Sequence, residues 1–184
     1  MNATLYVMEL KRNLKSTIIW LAVIVVCVVS TLAIVPNFMN NQEGLREMLA
    51  AYPESTLKAF NFDLENFGDS LGAYATYYGF FFPMLGAIFA ISMGSKIVAK
   101  EEGKKTAEFL FTRPITRVEA AKTKMAVLFT YVTLIWILTS LVEHFGLPMI
   151  SAEAYNRAAY WTMSFYAYLM ILCFGFLGMV VSAL

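Results

Sequence analysis

The sequence predicts an all-α fold: a polytopic bundle of transmembrane helices with an amino-terminal interfacial helix, short extracytoplasmic helices and a short cytoplasmic helix. Three observations predict it. The 184 residues are 59% hydrophobic and only 15% charged, against about 25% charged in soluble domains, and mean hydropathy is +0.63. Four stretches of spanning length carry no charge. The basic residues alternate between rich and poor in the segments that separate those stretches.

The four stretches are Thr17–Val35, Leu71–Ser95, Met125–Val142 and Ala158–Leu184. Each reaches the ~18–20 residues that cross a ~30 Å hydrocarbon core. Continuous apolar runs specify helices, since lipid offers no partner for an open strand edge. Together they read as one transmembrane domain over residues 1–184. The first span follows Lys11, Arg12 and Lys15, as a signal peptide would, but it exceeds the ~7–15-residue apolar core of one and lacks a small-x-small cleavage site. It reads as an uncleaved anchor. Cys27 and Cys173 both fall inside spans, which argues for free buried thiols and against a disulfide framework.

Lys and Arg of short loops stay cytoplasmic. They number three before the first span, two in 36–70, eight in 96–124 and one in the last connection. The amino terminus and the Lys96–Lys124 loop are therefore expected inside. The two acidic loops, one of them holding Glu143, are expected outside.

Asn2–Lys15 reads as an interfacial helix, with Leu5, Met8, Leu10 and Leu14 as its apolar side and basic residues among the headgroups. Tyr74, Tyr77, Tyr78, Tyr160 and Trp161 lie at span ends, where aromatic rings favour the membrane interface. Mid-span Trp136 is expected between helices. In the outer loop, Leu45, Met48, Leu49 and Tyr52 form a helical stripe ended by Pro53, so one or two short helices are expected there. In the second span, Gly86, Ala90 and Gly94 recur every fourth residue, and Ala75, Gly79 and Pro83 form another such row. Small residues at this spacing let helices approach closely, and Pro83 should bend its helix. The row serves packing within the chain, or else a dimer seam or conduit wall.

Several chemistries are missing. Gly103-Lys104-Lys105-Thr106 superficially matches a phosphate loop, but Val98 stands where a Gly is required and Lys105 displaces the Ser or Thr. His144 is the sole histidine, which makes no metal site and reads as solvated or interfacial. No nucleophile elbow occurs. No catalytic, cofactor-binding, metal or nucleic-acid site is expected. The spans hold no Asp, Glu, Lys, Arg or His, which argues against a pump powered by its own ion or proton relay.

The Lys96–Lys124 loop is ordered by its own sequence. Ala107, Leu110 and Phe111 lie on one face of a short helix, beside Glu108. Pro114 ends that helix and holds Arg113 extended. Thr116 and Glu119 then form a capping box that starts the third spanning helix in the cytosol. A short amphipathic helix held between two membrane helices suits docking to a soluble protein.

At this loop the sequence resembles type-2 ATP-binding-cassette (ABC) transporter permeases. Their first cytoplasmic loop commonly reads Glu-Glu, Gly-Thr, Glu-x-Leu-Leu, Pro-Ile-x-Arg and Gly-Lys. Glu101, Glu102, Gly103, Glu108, Leu110, Pro114, Ile115, Arg117 and Lys124 take matching places. The sequence departs from the pattern at Lys104 and Lys105, which separate Gly103 from Thr106, and at Thr123, where the family has Gly. The order of elements matches along the whole chain. The family usually has six spans where four are counted here, so a chain truncated after its fourth span is one expectation.

The resemblance implies a permease subunit, leaning toward export, in a cell membrane of bacterial type. It implies a partner cytosolic P-loop ATPase that binds ATP and Mg, and a second permease copy or close relative. This loop is then a coupling helix seated on the ATPase, with Glu101, Glu102, Gly103, Glu108, Leu110, Phe111, Pro114 and Arg117 as its docking residues. Gly79, Pro83, Gly86, Ala90 and Gly94 serve helix packing or the conduit. The rival readings are a membrane scaffold or immunity-type protein that binds a cytosolic partner without transport, an intramembrane enzyme using hydroxyl groups, and a loop that only sets topology.

Overall fold

The computed structural model describes residues 3–59, 70–103, 116–150 and 156–183. The described residues form an all-α transmembrane fold of six helices, with no strand among them. These are α1 (Ala3–Asn40), α2 (Gln42–Ala50), α3 (Glu54–Ala59), α4 (Ser70–Gly103), α5 (Arg117–Ile150) and α6 (Arg157–Ala183). Helices α1, α4, α5 and α6 are each long and apolar enough to cross a membrane.

The helices are longer than the apolar runs. At ~1.5 Å per residue, the 38 residues of α1 extend about 57 Å, nearly twice a hydrocarbon core. The expected interfacial helix 2–15 is not a separate element. Its described residues are the first turns of α1, which runs unbroken through Ser16 and past Pro36. Pro36, Pro83 and Pro148 all lie inside helices, as membrane helices tolerate. In the connection after α1, Pro53 separates α2 from α3, and the Thr56 and Leu57 amides both donate to its carbonyl. Within α3, Lys58 pairs with Glu54 at 2.6 Å. That contact holds the Glu54 carboxyl below the usual carboxylate range, first through the hydrogen bond and then through charge. The contribution is present at neutral pH and fades as pH falls through the lowered value.

The expected apolar side of the first turns divides between the protein interior and the outer surface. Leu5, Glu9, Asn13 and Thr17, each four residues apart, are buried, whereas Met8 is 47% and Leu14 48% exposed. In a membrane protein the outward face meets lipid, so apolar side chains leave the protein interior to polar groups that can pair there.

The chain divides into two compact units. One comprises residues 1–22, 86–136 and 168–184, the other 23–85 and 137–167. Each long helix contributes to both.

In the first unit, the start of α1 is tied to α5 by polar contacts. The Tyr6 and Thr130 hydroxyls meet at 2.7 Å, and the Tyr131 hydroxyl donates to the Leu10 carbonyl. Arg12 pairs with the buried Glu9 carboxylate, and the Asn13 amide donates to the Glu9 carbonyl at 3.0 Å. Trp136 packs on Tyr168 with ring centres 4.8 Å apart.

The second half of α4 lies backbone to backbone on the end of α6 in this unit. A side-chain carbon at Gly94 would collide with the Gly175 carbonyl oxygen, and one at Gly178 would come within 2.7 Å of the Ile91 carbonyl oxygen. Two serines lock the seam: Ser95 Oγ donates to the Gly178 carbonyl at 3.1 Å, and Ser182 Oγ to the Ser95 carbonyl at 3.0 Å. Gly86 and Ala90 lie on the same side, against Ile171 and Gly175. Gly79 is exposed and Pro83 buried, both in the second unit. Gly94→Ala is therefore expected to lower the thermal midpoint in detergent, with an overpacking cost of about 1–3 kcal/mol. Gly79→Ala, at an exposed helical position, should leave it unchanged or raise it.

Candidate functional site

Two places hold the groups that matter, one in each unit. The first is the connection between α4 and α5. Glu101, Glu102 and Gly103 are the last residues of α4, and Arg117 is the first of α5. Glu108, Leu110, Phe111 and Pro114 lie outside the described residues, as does the helix expected around them. The start of α5 is built as its residues dictate: the Glu119 amide donates to Thr116 Oγ1 at 3.2 Å, and the Ala120 amide to the Thr116 carbonyl at 3.0 Å. A capped start relieves the unpaired amides of the first turn. Both ends of the connection, Gly103 and Thr116, belong to the first unit.

The second place went unrecognised in the sequence. Glu143 was expected in an outer loop. Instead α5 continues to Ile150, and Glu143 is fully buried in the second unit. Tyr160 of α6 donates to Glu143 Oε2 at 2.8 Å and lies 3.3 Å from the Ser140 carbonyl. Ser140 and Ser164 hydroxyls meet at 3.3 Å. From α4, Tyr74 and Tyr78 lie within electrostatic range of the same carboxylate. Glu143 Oε1, Tyr74 OH and Tyr78 OH are buried with no hydrogen-bond partner among the described residues.

Tyr74, Tyr78 and Tyr160, expected as span-end aromatics, turn inward and are buried in the second unit. Polar hydroxyls can enter such a core because each carries a large apolar ring with it. The Tyr78 ring stacks on Phe82 at 4.7 Å. The Tyr74, Tyr78, Phe81 and Phe82 rings of α4 form a narrow cleft with Ile24, Cys27, Val28 and Thr31 of α1, wide enough for about one water. His144, beside Glu143, is half-buried, and its Nδ1 lacks a partner among the described residues. Asn156 fixes the start of α6, accepting from the Ala158 and Ala159 amides at 3.1 and 3.2 Å.

The uncharged spans stand as apolar windows, but the helices that contain them also bury Glu9, Lys124 and Glu143. No group of three or more His, Cys, Asp or Glu that could hold a metal occurs among the described residues.

Four helices long and apolar enough to cross a membrane define a polytopic integral membrane protein. More particularly, the chain belongs to the ABC-2 family of transporter proteins, whose family model matches residues 3–184. It is thus an integral membrane permease component of an ABC transporter. No curated protein and no solved structure matches it.

Proposed function

We propose that this chain is the permease subunit of an ABC exporter, driven by ATP hydrolysis in a separate cytosolic P-loop ATPase. ATP and Mg bind in that subunit. The permease pairs with a second copy or a close relative in the cell membrane, with its amino terminus and the α4–α5 connection in the cytosol. Residues 104–115 carry the coupling helix, and Glu101, Glu102, Gly103 and Arg117 flank it.

The observation that supports this most is the α4–α5 connection of a family member. Eight basic residues lie between Lys96 and Lys124, which favours the cytosolic side. Leu110 and Phe111 give that segment an apolar face, and the capped start of α5 anchors one end of it. Movement of the ATPase would then reach α4 and α5 directly through a short link.

Capture from the native host tests the reading. The tagged chain, purified in mild detergent at moderate salt, is expected to retain one P-loop ATPase. An inserted, folded chain that retains no ATPase would favour a scaffold over a driven permease.

A further inference from the structure

We propose that Glu143, Tyr74 and Tyr78 form an intramembrane binding site for one monovalent cation, taken either as a proton or as an alkali ion. The inference stands on the second unit alone and does not require an ATPase partner.

The first argument is charge. A carboxylate fully removed from solvent needs an opposite charge, because an isolated buried ion is very costly. The Arg12–Glu9 and Lys58–Glu54 ion pairs do not involve Glu143. Tyr160 supplies one hydrogen bond, to Oε2, and Oε1 has none. One positive charge from outside the chain would balance the site.

The second argument is the atoms that face the carboxylate. Tyr74 and Tyr78 approach from α4, Tyr160 from α6, and His144 is its neighbour on α5. The hydroxyl oxygens of Tyr74 and Tyr78 are both buried and unpartnered among the described residues. Carboxylate and phenol oxygens are donors that suit a hard cation. A single carboxylate balances a single charge, which favours a monovalent ion over Ca or Mg, and no cluster suited to a transition metal lies among the described residues. In the proton case, the added O–H at Oε1 would give the two phenolic oxygens a donor. Buried ionisable groups in membrane segments mark such pathways more often than they mark packing.

The test is thermal unfolding of the purified chain in detergent at constant ionic strength. Midpoints are compared in sodium, potassium and N-methyl-glucamine chloride, each from pH 5 to 8. At about a hundred times its dissociation constant, a bound alkali ion is expected to raise the midpoint by about 5–10 °C. A rise with sodium or potassium at fixed pH assigns an alkali ion. A rise with falling pH in every salt assigns a proton. Either response should vanish in Glu143→Gln. If that variant fails to fold, Tyr74→Phe with Tyr78→Phe serves, since it removes the two oxygens and keeps the rings. Equal midpoints for the native chain in all salts and at all pH values would overturn the proposal. So would a response that survives in Glu143→Gln, or an alkali-ion response that survives in the double variant.

Discussion

With Phe111 replaced by Asp, the chain is expected to insert as before and to lose its ATPase subunit. The reason is the cost of a charge in an apolar contact. In the proposed arrangement a coupling helix seats its apolar face in a groove on the ATPase, and Leu110 and Phe111 would supply that face. An Asp at either position must shed its water on docking without gaining a partner. A penalty of about 2–4 kcal/mol lowers affinity roughly 30- to 1,000-fold. Leu110→Asp should behave alike. Neither residue lies in an apolar run of the sequence long enough to span, so melting of the isolated chain should stay within about 0.5 kcal/mol of the native value. Titrating the ATPase against detergent-solubilised variants measures the affinity, and the melt separates lost docking from lost fold.

Tyr160→Phe is expected to destabilise the chain strongly although it removes a single oxygen atom. The hydroxyl donates to the buried Glu143 carboxylate at 2.8 Å. Phe keeps the ring and its packing on Trp161 but leaves Oε2 without that bond. Hydrogen bonds to charged groups contribute about 1.5–3 kcal/mol, and a buried acceptor left unpaired costs its full desolvation. The midpoint should fall by about 4–10 °C. Tyr166→Phe is the control: Tyr166 sits in the same helix but is 67% exposed, and its midpoint should not move. Tyr160→Phe and Glu143→Gln together should cost less than the sum of the two, because the residues share one bond. Additive effects would show that Tyr160 acts elsewhere.

The four spanning helices were legible because a membrane helix advertises itself as an apolar run. Their ends were not, since an apolar run marks only what lies in hydrocarbon. Glu143 shows the consequence. It stands one residue beyond Val142, so it counted as a loop charge. The signal lay in the helical period: Thr139, Glu143 and Leu147 are spaced by four, and all three are buried. The same row of four, Leu5–Glu9–Asn13–Thr17, marks the inward face of α1. Apolar periodicity picked out Met8 and Leu14, which face outward, but could not mark this row, because three of its four residues are polar. The Gly86–Ala90–Gly94 row was visible as small residues, but the sequence could not say which helix it meets. The complementary Gly175 and Gly178 lie in α6, and only the fold brings the two rows together. The capping role of Thr116 was legible because it depends on residues three positions apart, and the hydrogen bond to Glu119 forms.

The most direct test of the central claim is ATP hydrolysis by the captured ATPase, reconstituted in lipid vesicles with the native chain or with Phe111→Asp. The account predicts that the native chain changes the hydrolysis rate and that the variant, inserted at equal density, leaves the rate at that of the ATPase alone. An ATPase whose rate and membrane recruitment are the same with both chains would contradict coupling through residues 104–115.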